Sequence, residues 1–283
     1  MSESPKMTNL KSVQQRLLKG AGVYHRLKVS WLYDAYWSLA NKDIVRGKHA
    51  ETRFYREALR GFQPGNLIFD IGANVGFKTE AFLKLGANVI AVEPDEHNQE
   101  ILRRSFLEYR LAKKAVIIVG KAVSDKAGSE EIWIDAPGSA KNTLSSKWVG
   151  LLREDDQRFG AKLNFSNKKT VETVTLEDLI SKFGVPFFIK IDVEGYEPEV
   201  LRGLRQSVPY VSFEVNLPEF LSEGKECVNL LAGLSPDSKF NYSVGSERGL
   251  ELPNWTRKED FLDTLTNCTA PSIEVFWTSR TTV

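Results

Sequence analysis

A chain of 283 residues is long enough to bury one large core and carry an appendage. Its 42% apolar and 27% charged residues match a soluble globular protein, and a net charge of +1 excludes a strong global attraction to nucleic acid. The charge is uneven: residues 1–50 hold nine Lys/Arg against three acids and the remainder 29 against 34, a basic front on a mildly acidic body.

Residues 1–7 read as a frayed tail. Leu10, Val13, Leu17 and Leu18 then fall at helical spacing. After a break at Gly20 and Gly22, a second helical face carries Val29, Leu32, Tyr33, Tyr36, Trp37 and Ala40. Its aromatic and basic content suits packing on the main domain or at a substrate entrance. The other reading is a peripheral membrane contact or a homodimer contact. Phe54, Tyr55, Ala58, Leu59 and Phe62 mark a third helix, ended by Gly61 and Pro64-Gly65. Residues 1–62 are thus expected to be a helical extension of a domain spanning 63–283.

From residue 67 strands and helices alternate. Strands are expected at 67–70, 88–92 and 115–119, with helices at 77–85 and 96–109 between them. The first strand is apolar without alternation, as in a parallel sheet covered on both faces. The rhythm breaks between 124 and 170: a strand at 130–134 is followed by a polar, irregular stretch, and 136–169 reads as a lid or substrate insertion. Thr175 caps the next helix. Strands follow at 187–192, 210–215 and 240–244, and a last one at 273–278. Pro198 opens a helix at its first position, and Thr256 with Glu259 forms a capping box for a helix to 265. This order implies a doubly wound α/β sheet.

Ligands of such sheets bind outside the carboxyl ends of the strands. Asp70 and the turn Gly72-Ala-Asn74-Val-Gly76 end the first strand, Glu93 the second, Asp192 and Glu194 the fourth, and Glu214 closes the fifth. Five carboxylates on one rim are more than helix capping requires, although Glu194 or Glu197 could be a cap. Glu93 stands 23 residues past Asp70, close to the roughly 20-residue offset at which an acid meets a ribose hydroxyl. Asn74 replaces the middle glycine that a pyrophosphate-binding turn needs, and Lys78 has no Walker spacing. An acidic rim without a phosphate turn suits a nucleoside with a cationic tail, and S-adenosylmethionine (SAM) is the expected cofactor. Cys227 and Cys268 lack metal-ligand spacing and there are three histidines, so no metal site is expected. His97 reads as a surface residue. Residues 1–30 lack a signal-peptide core and no window approaches the roughly 20 apolar residues of a membrane span, so a cytoplasmic protein is expected.

Asp70-Ile-Gly-Ala-Asn-Val-Gly-Phe77, Val92-Glu-Pro94, Ala122-Val-Ser124, Thr175-Leu-Glu-Asp-Leu179 and Lys190-Ile-Asp-Val-Glu-Gly-Tyr-Glu197 together resemble the FkbM family of SAM-dependent methyltransferases, over about residues 50–220. The resemblance implies a class I methyltransferase fold, Rossmann-like, with seven strands of which the last is antiparallel. It also implies O-methylation of a sugar or related hydroxyl. Carried over, Asp70, Gly72, Asn74 and Gly76 would line the methionine and ribose part of SAM, and Glu93 would accept the ribose hydroxyls. Ala122 and Val123 would flank adenine, and Asp192 would face the methyl group or the acceptor. Asp192 or Glu194 is the first candidate for a general base and Glu214 the third. Lys190, inside a strand, is expected to pair with a carboxylate or touch substrate.

Competing readings are weaker. Nucleic-acid amino methylation calls for Asn/Asp-Pro-Pro-Tyr/Phe where this chain has Asp192-Val-Glu-Gly, which leaves N-methylation of a protein or small molecule. A nicotinamide oxidoreductase lacks its middle glycine. A non-catalytic module would have no need of Asp70, Glu93 and Asp192. The expected partner is a small-molecule or glycan acceptor, not nucleic acid.

Overall fold

The computed structural model describes residues 42–154, 165 and 167–281. The first two expected helices, with their proposed membrane and dimer contacts, lie outside the described residues. Among the described residues no helix is long and apolar enough to cross a membrane.

The elements run α1 (Lys42–Ala58), β1 (Leu67–Ile71), α2 (Phe77–Lys84), β2 (Asn88–Val92), α3 (Glu96–Ser105), α4 (Leu107–Leu111) and β3 (Val116–Val119). Next come β4 (Ala122–Val123), β5 (Gly128–Ile134), α5 (Ser146–Glu154), β6 (Asn167–Val174), α6 (Leu176–Phe183), β7 (Phe188–Ile191) and α7 (Glu197–Arg202). β8 (Tyr210–Asn216), α8 (Leu221–Leu234), β9 (Lys239–Ser243), α9 (Lys258–Thr266) and β10 (Ser272–Thr278) complete the chain. Seven strands form one sheet in the order β3-β2-β1-β7-β8-β10-β9. All pairs are parallel except those of β10, which runs antiparallel to β8 and β9. The order reverses between β1 and β7, and the switch point opens there.

Alternation along the strands builds a core on each face. Phe69, Ile71, Ile189 and Ile191 point to the face covered by Leu176 and Leu179 of α6, Val200 of α7, Val228 of α8 and Phe261 of α9. Ile68 and Phe188 point the other way, against Phe54, Tyr55 and Ala58 of α1 and Phe82 of α2. Tyr55 packs edge-on against Phe82, with ring centroids 4.9 Å apart. Burying Phe54 and Tyr55 of α1 and Leu59 just after it stabilises the fold by roughly 1.5–3 kcal/mol each, so the end of α1 is part of the core.

β4, β6 and β5 form a separate three-stranded sheet beside the rim. Of these, β4 and β6 are absent from the sequence-based expectation. β6 is exposed over residues 167–170 and buries Val171 and Thr173 alone, so its apolar signal is weak. Three further expectations are corrected. The helix expected at 96–109 breaks at Phe106 (φ −102°, ψ 27°), whose ring is buried below the first glycine turn. Thr256 does not cap α9: it exchanges backbone hydrogen bonds of 2.7 and 2.9 Å with Phe240, so strand pairing takes precedence and Arg257 becomes the N-cap. Pro198 is the second residue of its helix, since α7 starts at Glu197. The Thr175 cap is formed, with Asp178 completing a capping box.

Candidate active site

The turn after β1 is pinned to β2, because the N–H groups of Gly72 and Ala73 both donate to the Val92 carbonyl at 3.0 Å. Gly72 (φ +80°) has to be glycine: a Cβ there would stand 1.8 Å from the Asp192 carbonyl oxygen. Asn74 reaches φ +48°, a left-handed conformation that Asn tolerates and most residues avoid. That bend aims the Asn74 N–H at Glu93 Oε2 (2.8 Å), while the Asp95 N–H donates to Oε1 (2.8 Å). Each carboxylate oxygen keeps a lone pair for an incoming hydroxyl. Burial pushes the Glu93 carboxyl up to about 7 despite its backbone donors.

Gly72, Asn74, Glu93, Ala122, Val123, Asp192, Glu194 and Glu214 line one cleft at the carboxyl ends of the strands. Asp70 and Gly76 do not line it. Asp70 is buried beneath the turn, accepts the Thr79 hydroxyl, and is pushed up to about 6 by burial. Gly76 (φ +90°) is needed because a Cβ would stand 2.5 Å from the Phe106 ring. Both residues shape the turn from below.

The floor of the cleft is a group of charges on the face toward α1. Lys190, 2% exposed, sends its Nζ to Asp192 Oδ2 (3.2 Å) and to within 4.0 Å of Glu274 Oε1. Glu274 also accepts the hydroxyls of Tyr55 (3.1 Å) and Ser212 (2.7 Å). Burial opposes the charge on Lys190, but Asp192, Glu274 and Glu214 more than offset it and keep the ammonium protonated. Burial likewise opposes ionisation of Asp192. Here Lys190 and a hydrogen bond from Glu214 prevail and hold the carboxyl below its usual range. Glu214, which accepts the Ser272 hydroxyl at 2.6 Å, is pushed up to about 7 by burial and then by the charge on Asp192. Glu194 (φ +56°) is pushed well above the carboxylate range by burial and by Asp192, Glu214 and Glu197.

Several residues that build the site were not singled out from the sequence. Asp95 caps α3 by accepting the His97 N–H (2.8 Å), and its other oxygen accepts the Gly138 N–H (3.2 Å) and Asn142 Nδ2 (3.0 Å). Thr143 donates to the Glu194 carbonyl at 2.9 Å. Residues 138–143 are thereby clamped to the loops after β2 and β7 and form the far wall of the cleft. Ser124 and Tyr196 both donate to Glu130, at 2.6 and 2.5 Å, tying the small sheet to the loop after β7. An acid directly after Pro94 at a helix start was a legible cap signal; the Glu130 contacts had none.

Glu197 acts under the loop, its Oε1 accepting the N–H groups of Val193 (3.1 Å) and Gly195 (3.3 Å). Burial raises its carboxyl from 4.5 to about 8. A group whose pKa rises on folding contributes stability that is complete below 4.5 and lost as pH climbs through about 8. Glu197→Gln keeps the acceptor and removes the titration. The Tm of this variant relative to the parent should therefore rise between pH 5 and pH 8, by roughly 7–14 °C. A gap in Tm that does not change with pH, measured by thermal denaturation across that range, would refute this account.

The cleft can be tested against the expected cofactor. Asn98 Oδ1, buried in its wall, has no hydrogen-bond partner among the described residues, so it offers an acceptor to a ligand amino or hydroxyl group. Lys121 at its edge is paired with Glu172 at 2.7 Å. Acceptors for hydroxyl and amino donors, with acids toward Asp192 and Glu214, fit an adenosyl group with a cationic centre. They do not fit a pyrophosphate.

The seven-stranded sheet with an antiparallel β10 and a cleft at the switch point defines the class I methyltransferase fold. Residues 70–252, well over half the chain, match the methyltransferase FkbM domain, and the chain belongs to that family of methyltransferases. It is 24% identical to the hexuronic acid methyltransferase AglP of Haloferax volcanii, over 77% of this chain and 78% of that protein. It is 32% identical to the 31-O-demethyl-FK506 methyltransferase FkbM of Streptomyces tacrolimicus, over 51% of this chain and 62% of that one. The crystal structure of methyltransferase FkbM from Methylobacillus flagellatus KT superposes with a TM-score of 0.50 at 15% identity, covering 92% of this chain and 58% of that one.

Proposed function

We propose that the chain is a SAM-dependent O-methyltransferase acting on a hydroxyl of a saccharide, glycolipid or related metabolite. The observation that carries this reading is Glu93, held by two backbone N–H groups with lone pairs to spare, in the same cleft as Asp192 and Glu214. The names of the two curated relatives, a hexuronic acid methyltransferase and a 31-O-demethyl-FK506 methyltransferase, support acceptors of this class. Glu93 would bind the ribose hydroxyls, Asn98 a donor of the nucleoside, and Ala122 and Val123 would flank the base. When bound, SAM supplies a methyl group already activated by its sulfonium, so the chain has mainly to align donor and acceptor and remove a proton.

The ionisation of the rim distinguishes the three candidate bases. Asp192 is held low by Lys190 and is a weak base, while burial and the neighbouring carboxylates of Asp192, Glu214 and Glu197 raise the Glu194 carboxyl well above its ordinary value. Glu214, at about 7, is matched to taking a proton near neutrality. We therefore assign the base to Glu214, and to Asp192 the fixed negative charge that tunes it. Titration calorimetry with SAM and with NAD tests the reading: SAM should bind and NAD should not. Binding of NAD alone would replace the reading with a nicotinamide enzyme.

A further inference from the structure

A second cavity of about 340 Å³ lies on the other side of the carboxylate pair, bounded by α1, α2, the start of β10 and the loop after β9. It shares two lining residues with the cofactor cleft, Asp192 and Glu214. A group entering it from the α1 side would meet the same two carboxylates that a cofactor meets from the other. Its walls are polar, and both ammonium groups are already paired. Lys78 is paired with Glu51, and Lys190 with Asp192 and Glu274. Three carboxylates besides Glu214 thus face two ammonium groups, so among the described residues the lining is acidic by one charge. Among the described residues, an anion entering here would find no free cation and a surplus of like charge. The hydroxyls of Ser246 and Ser272 add further hydrogen-bonding groups.

We propose that this second cavity is the acceptor subsite and that it takes an uncharged polyhydroxylated ring in preference to a carboxylate-bearing one, presenting the reacting hydroxyl to Glu214. The proposal rests on the methyltransferase reading above. In a reaction so arranged, the acceptor oxygen forms its bond to the methyl carbon as the carbon–sulfur bond breaks. The electron pair of that bond returns to sulfur, and the hydroxyl proton passes to the Glu214 carboxylate.

The test uses the full chain, labelled SAM, and two sets of probes: methyl glycosides of glucose, galactose and mannose, and the methyl glycosides of the corresponding uronic acids. At least one neutral glycoside should accept label about tenfold faster than its uronate counterpart, a difference of about 1.4 kcal/mol. Ser246→Trp, which fills the cavity, should raise the acceptor KM about tenfold while SAM affinity by calorimetry stays within about twofold. Glu51→Gln leaves Lys78 unanswered and should shift the ratio toward the uronate by about tenfold. Three results would overturn the proposal: faster transfer to the uronates, no response of either variant, or no transfer to any probe by a chain that binds SAM. Failure of the parent chain to bind SAM would instead remove the methyltransferase reading beneath it, and the proposal with it.

Discussion

Glu93→Ala is expected to weaken SAM binding at least about a hundredfold. A carboxylate that accepts two ribose hydroxyls makes two charge-assisted hydrogen bonds, each worth roughly 1.5–3 kcal/mol, and a hundredfold is about 2.7 kcal/mol. The substitution also leaves the N–H groups of Asn74 and Asp95 without their acceptor, so the turn after β1 and the start of α3 lose a shared support. Glu93→Gln should fall between, since its amide can satisfy one of the two donors and not both. Calorimetry gives the affinity, and thermal denaturation of the same samples separates loss of the ligand from loss of the fold. Wild-type affinity in a folded Glu93→Ala protein would remove Glu93 from the cofactor site.

Glu214→Gln is expected to lower kcat by roughly a hundred- to ten-thousandfold, the usual worth of a positioned general base. SAM affinity should change far less. In the parent, Glu214 must be ionised to accept a proton, so activity should climb as pH rises through about 7. Asp192→Asn gives a separate check. It removes the charge that raises the Glu214 carboxyl and frees Lys190 to stabilise the Glu214 anion. The acidic limb of the pH–rate profile should then move to lower pH, even as kcat drops. A limb that stays in place, or a Glu214→Gln enzyme with full turnover, would return the base assignment to Asp192 or Glu194.

The alternation of strands and helices was legible because β1, β2 and β3 are short, mostly apolar runs between turn residues; β2 matches residue for residue. The rim was legible for a related reason, since strand ends put Glu93, Asp192 and Glu214 on one side wherever the sheet is parallel. What was not legible depends on partners distant in sequence. Tyr55 meets Glu274 across 219 residues, and Ser124 meets Tyr196 across 72. Neither pair leaves a local trace. α5 is a different matter. Trp148, Val149 and Leu152 stand at helical spacing and are buried, but the polar residues around them masked the pattern. Asn74 was read as incompatible with a pyrophosphate turn. The glycine-like bend it makes, and the bond from its N–H to Glu93, follow from φ, which its side chain permits but does not announce.

The close approach of Gly72 to the Asp192 carbonyl bears on how the enzyme can move. The Asp192 N–H also donates to the Ile71 carbonyl at 3.0 Å, so the two loops meet through backbone alone. The turn that carries Asn74 and the segment that carries Asp192 are therefore joined by main-chain contacts, which should hold the proposed ribose-binding and acceptor-facing groups at a fixed spacing. Residues 138–143, on the opposite side, reach the loops after β2 and β7 through the side chains of Asp95, Asn142 and Thr143, and pair with β5 through the main chain of Thr143 and Trp133.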